Sequence, residues 1–384
     1  MDDPHPPLAG AGPAPPEESR ALTGLRGLGA LLVMLHHFYL YHHVQTRAPA
    51  LGGLLQNGFM GVDLFFVLSG FVMSMVYGGW FVGSSPRLGR LGLGRPGRGR
   101  LWPVFLVRRI ARLWPLHAAV LAILLAVGGV FGTSAGSVRL VEANFAMIQS
   151  WGMTASINPP SWSVSTELLA YLVFPLVAET ILRSRFGPAL GLLCVASMLT
   201  VCIIFAPPLG PARRGLLDVY QNYSLLPSLR CLAGFVIGML AWRAGRLPGV
   251  QRWSRTGWTG PAALALFLAA LMSEQGGVLG YALLPLIVLG MHYGTGAVCR
   301  AFATGPIHRL GVLSYAIYLI HYALLEGFPL GWAPLWAALA MYLVVTFGLA
   351  ILAHAMIEVP GRLLLRRAGE FLVGRLLRPG RVIS

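Results

Sequence analysis

Ten runs of mostly apolar residues, most of them about twenty long, follow one another along this chain, and that succession limits the fold more than any other feature. They lie near 21–41, 58–78, 113–131, 164–182, 189–207, 225–243, 258–273, 277–298, 309–327 and 333–357. A run of that length crosses a hydrocarbon core as a helix, because a helix satisfies its own backbone N–H and C=O groups within one segment. Composition agrees: 56% of the residues are hydrophobic and 11% charged, against about 25% charged in soluble domains. The runs leave no room for a soluble domain. The expectation is an all-α integral membrane protein of about ten transmembrane helices. A disordered tail over 1–19 precedes a membrane domain over 20–367, and a basic cytosolic tail follows over 368–384.

Charge sets the orientation. The net charge is +16, and all 29 basic residues are arginines. So basic a chain also suits nucleic acid, but the distribution favours a membrane topology signal. With the N-terminus in the cytosol, twenty-four arginines fall in inside segments and four (Arg47, Arg139, Arg213, Arg214) outside, with Arg230 inside a span. Shifting the parity by one span spoils that split, so both termini are expected in the cytosol. The first nineteen residues lack a basic n-region and an apolar h-region, so the first helix is expected to direct insertion into the cell (plasma or inner) membrane. Cys194, Cys202, Cys231 and Cys299 form no CxxC pair, which argues against a disulfide framework.

Ionisable side chains inside a bilayer are costly, so each is a candidate for function. Four polar clusters stand out. In LTGLRGLGALLVMLHHFY, Arg26 and His37 are eleven residues apart; at about 100° per residue they share one helix face, roughly 16 Å apart along the axis. Singly they read as a topology charge and an interfacial histidine; as a pair they read as a site. GVDLFFVLSGF places Asp63 in the outer third of the second run, where it needs a cation or an imidazole. In NPPSWSVSTELLAYLVFP, Glu167 opens the fourth run. Ser163 there also suits a helix cap, and Trp162 an interfacial belt. RRIARLWP sets Arg109 and Arg112 on one helix face just before the third run.

Together RGLGALLVMLHH, GVDLFFVLSGF, RRIARLWP, SWSVSTELLAYLVFP, LSYAIYLIHY and IEVPGRLLLR resemble, in order, the motifs of the acyltransferase-3 family of membrane O-acyltransferases. The likeness covers residues from about 21 to 367. It implies a ten-helix enzyme that acylates, most often acetylates, sugars or glycosylated acceptors from acyl-CoA. By that likeness Arg26 and His37 match the family's arginine–histidine pair, and Arg109 and Arg112 its donor-associated RxxR motif. His36 belongs to a double histidine, while Glu167, Tyr315, Tyr318 and His321 lie in family motifs without an assigned role. The Gly- and Arg-rich GRPGRGR insertion departs from the pattern and affects only the donor's entrance.

The mechanism these residues suggest has arginine forks on the donor's phosphates. His37 acts as general base for the acceptor hydroxyl, or takes the acyl group itself. Asp63 or Glu167 would orient its ring. Arg26, Arg109 and Arg112 are thus the expected donor-binding residues, and His36, Trp162, Ser163, Tyr315, Tyr318 and His321 the supporting ones. No bound cofactor or metal is called for: acyl-CoA, with acetyl-CoA foremost, enters as co-substrate. The expected partners are that donor, a sugar-containing acceptor and the bilayer. A transporter or flippase is the rival class, since it uses the same intramembrane charges as a pathway.

Overall fold

The computed structural model describes residues 20–42, 52–82, 98–127, 137–183, 186–205, 217, 223–273, 276–327 and 333–376. The expected tail over 1–19, the arginine-rich loop as far as residue 97, and residues 377–384 lie outside the described residues. Every regular element among them is helical: α1 (Arg20–Tyr41), α2 (Gly52–Gln56), α3 (Met60–Val82), α4 (Arg98–Val127), α5 (Ser137–Phe145), α6 (Trp162–Arg183), α7 (Phe186–Phe205) and α8 (Leu226–Ala244). Then come α9 (Pro248–Ser254), α10 (Thr259–Leu271), α11 (Gly277–Tyr293), α12 (Ala297–Phe302), α13 (Gly305–Gly327), α14 (Leu335–Ala353) and α15 (Val359–Leu376).

Among the described residues, eight helical segments are long and apolar enough to cross a membrane. The chain is a multi-pass membrane protein. The seventh and eighth apolar runs fold as the shorter helices α10 and α11, of 13 and 17 residues, about 20 and 26 Å long. They lie antiparallel, with Gly260 against Gly290 and Phe267 against Gly280. Neighbour contacts fix other directions. Gly58 meets Leu32 and His36 while Gly61 meets Gly29, so α3 returns along α1, whereas Gly24 meets Ile307 and Gly27 meets Gly311, so α13 runs parallel to it.

Two helices extend beyond the apolar runs read from the sequence. The helix that carries the third run begins at Arg98 rather than near 113, so RRIARLWP lies inside α4. The LWPVFLV stretch before it is apolar enough to continue the helix, and the arginines find partners within the protein. The last helix continues past 367, packing Gly361 on Pro115 and Gly369 on Val107. Arg108 Nε donates to Glu370 Oε1 across that contact at 2.6 Å, so the boundary expected at 367 falls within α15.

Without a hydrophobic force between helices in lipid, small residues let backbones approach and gain van der Waals contact. At the crossing of α3 and α8, Gly70 lies against the Phe235 carbonyl and Gly238 against the Val67 carbonyl. A Cβ at either would overlap backbone. That crossing holds α3 at the centre, where it meets α1, α4, α6 and α8.

Candidate active site

A cavity of about 200 Å³ opens between α1, α3, α4, α6 and α13. Arg26, Arg109, Arg112, Glu167, Tyr171, Tyr315 and Tyr318 line it, with Ser69, Ser163 and Ser314 and an apolar wall that includes Phe65 and Met73. Helix geometry explains the gathering. Arg109 and Arg112 share a face of α4, and Gly27 and Gly29 bring the Arg26 face of α1 close to α13 and α3. Three guanidiniums against one carboxylate leave the cavity an excess of positive charge.

Arg109 marks one end. Its Nη2 donates to the Tyr77 hydroxyl at 2.8 Å, and its guanidinium carbon stands 4.9 Å from the Tyr77 ring centroid. Its buried Nε has no hydrogen-bond partner among the described residues. The two arginines were expected just before the third run, and both lie within α4, which begins at Arg98. Glu167 accepts hydrogen bonds from Ser69 Oγ at 2.9 Å and from the Tyr171 hydroxyl. Tyr315 donates to the Leu113 carbonyl at 2.6 Å, tying α13 to α4.

Ser163 and Tyr318 mark the other end, their hydroxyls 2.8 Å apart, with Tyr318 also donating to the Pro160 carbonyl at 2.9 Å. Behind Tyr318, with ring centroids 5.8 Å apart, lies His321. Its Nε2 is 3.1 Å from His37 Nδ1. His37 therefore faces α13 beside the cavity's end. His36 points elsewhere: its Nδ1 is 2.8 Å from the Leu55 carbonyl and its ring meets Phe59 edge-on.

Two expected roles do not fit. Asp63 was to orient His37, but both its oxygens are committed to Arg230, with Nε to Oδ1 at 2.7 Å and Nη2 to Oδ2. Both residues are buried, and the Arg230 guanidinium also sits 5.7 Å from the Trp162 ring. Trp162 is thus a buried partner of that ion pair, not a lipid-facing belt residue. Glu167, the alternative orienting group, bonds Ser69 and Tyr171 instead. The cause is helix rotation: Asp63 faces α8, while His37 faces α13.

Sequence reasoning missed Arg230, Ser69, Tyr171 and Tyr77 as partners. Arg230 carried a signal, since it lay well inside a run and was assigned to neither side of the membrane. Tyr171 carried another, four residues after Glu167 on the same face. Tyr77 had none beyond lying one turn after Met73, which also touches Arg109 at 3.7 Å.

Fold and site together define a polytopic membrane protein with an arginine-lined cavity ending beside a histidine pair. The chain belongs to the acyltransferase-3 family, whose acyltransferase domain matches residues 19–355. It is an acyltransferase, which sets aside the transporter reading. It is similar to the acyltransferase MdmB of Streptomyces mycarofaciens, at 28% identity over 90% of this chain and 92% of the relative. It is also similar to the peptidoglycan O-acetyltransferase OatA of Listeria monocytogenes, at 25% identity over 89% of this chain, but spans only 55% of that relative's length. A third relative, the putative membrane-bound transacylase BcsY of Komagataeibacter xylinus, is 24% identical over 90% of this chain and 84% of its own. No solved structure matches the chain.

Proposed function

We propose that the protein transfers an acyl group, most simply acetyl, from acyl-CoA to a hydroxyl of a sugar or glycosylated acceptor. The observation that carries this reading is one cavity with Arg26, Arg109 and Arg112 along it and the His37–His321 pair beside its far end. Pockets that enclose drug-sized ligands run from about 300 Å³ upward, so about 200 Å³ suits the slender thioester end of the donor rather than the whole coenzyme. The arginines then meet the donor's anionic part at the mouth, where charge-assisted hydrogen bonds are strongest. An O-acetyltransferase of peptidoglycan among the relatives supports a sugar-containing acceptor.

The chemistry balances with the residues present. The acceptor oxygen attacks the thioester carbonyl carbon while a His37 ring nitrogen takes the hydroxyl proton. The tetrahedral adduct collapses, the carbon–sulfur bond breaks, and the proton held on His37 passes to the departing thiolate. Ester and free CoA result, with the ring returned to its neutral form.

The test supplies radiolabelled acetyl-CoA to membranes containing the protein together with a cell-envelope glycan fraction and small glycosides. Label should move to glycan or glycoside, and His37→Ala should slow that transfer by about 10²–10⁴-fold at unchanged membrane abundance. His36→Ala should be milder, because its Nδ1 turns to the Leu55 carbonyl. Full activity in His37→Ala would refute its role as base, and a wild-type protein that leaves acetyl-CoA intact would refute the donor.

A further inference from the structure

His321 is fully buried on α13, and its ring nitrogens have defined partners. Its Nδ1 lies 2.7 Å from the Tyr318 carbonyl and 3.3 Å from the Ile317 carbonyl. Carbonyl oxygens only accept, so Nδ1 carries the proton, and a neutral ring then keeps its lone pair on Nε2. That Nε2 is the atom 3.1 Å from His37 Nδ1. His37 Nδ1 also lies 2.9 Å from the Val33 carbonyl. Both of its neighbours accept, so His37 carries its proton on Nδ1, and its basic nitrogen is Nε2.

We propose that His321 is the positioning residue for His37: its Nε2 accepts the His37 Nδ1–H, holds the ring and stabilises the cation formed when His37 Nε2 takes a proton. This rests on the reading of His37 as the base. The direction is set by the two backbone carbonyls that accept from His321 Nδ1, so each N–H donates from α1 toward α13. When His37 is protonated, the bond from its Nδ1–H becomes charge-assisted and strengthens. A carboxylate does this work in many enzymes. Here a neutral imidazole keeps the resting pair uncharged, which costs less in a membrane interior. The Tyr342 hydroxyl donates to the His321 backbone carbonyl at 3.2 Å and fixes the segment that carries the ring.

The experiment measures kcat and KM for acetyl-CoA in membranes containing the full chain, with the labelled glycan fraction as acceptor. The variants are His321→Leu, His321→Gln, His37→Ala and the double His37→Ala/His321→Leu. Loss of a hydrogen bond to a charged group predicts a fall in kcat of about ten- to a hundredfold in His321→Leu, with KM unchanged. His321→Gln, whose amide oxygen accepts the same N–H, should recover most of that loss. The double variant should be no slower than His37→Ala, because the two residues act as one unit. His321→Phe keeps the ring volume and replaces the leucine variant if that one reaches the membrane poorly. A kcat within twofold of wild type in His321→Leu, or a glutamine variant no better than the leucine one at equal abundance, would overturn the proposal. An active His37→Ala would instead overturn the base on which it rests.

Discussion

Replacing Arg230 with methionine should cost the protein a large part of its stability while leaving the cavity's lining residues untouched. Asp63 is 0% exposed and Arg230 2%, and the two meet through both carboxylate oxygens. Removing one member of such a pair leaves a buried charge uncompensated, which costs about 3–5 kcal/mol. Folded domains have only about 5–15 kcal/mol in hand, so Arg230→Met should accumulate poorly and melt well below the parent. The double variant Asp63→Leu/Arg230→Met removes both charges at similar volume, an exchange often neutral or stabilising, and should recover folding. The assay is thermal unfolding of detergent-purified protein followed by size exclusion, with acyl transfer measured on the same samples. An Arg230→Met protein that melts like the parent, or a double variant no better than the single one, would refute the structural reading of the pair. A double variant that folds but does not transfer would return Asp63 to the chemistry.

Two other tests address the donor and the topology. Arg109→Ala/Arg112→Ala should raise the Kd for acetyl-CoA at least tenfold, since each charge-assisted bond contributes roughly 1.5–3 kcal/mol; unchanged affinity measured by equilibrium binding would reduce both arginines to topology charges. A cysteine introduced between residues 83 and 97 should resist an impermeant maleimide in intact cells and react in inverted vesicles, and strong labelling from outside would reverse the proposed orientation.

The membrane class, the helical fold, the family and the cavity's charged residues, Arg26, Arg109, Arg112 and Glu167, were legible in the sequence. Run length and arginine distribution are local, one-dimensional quantities, and the hydrocarbon core imposes them on any chain that crosses it. Helical spacing also placed Arg26 and His37 on one face, and Arg109 with Arg112, before any neighbour was known. What spacing along one helix cannot state is how neighbouring helices are rotated about their axes. That rotation follows from where glycines let backbones touch, as Gly70 does on Phe235 and Gly27 on Gly311. It turned Asp63 toward Arg230 on α8 rather than toward His37. It gave Glu167 to Ser69 and Tyr171, and set His321 against His37 from a helix 284 residues away in sequence. The sequence by itself determined which groups a membrane would have to satisfy. Only packing decided which group satisfies which, because a buried charge takes the partner that the nearest helix face presents.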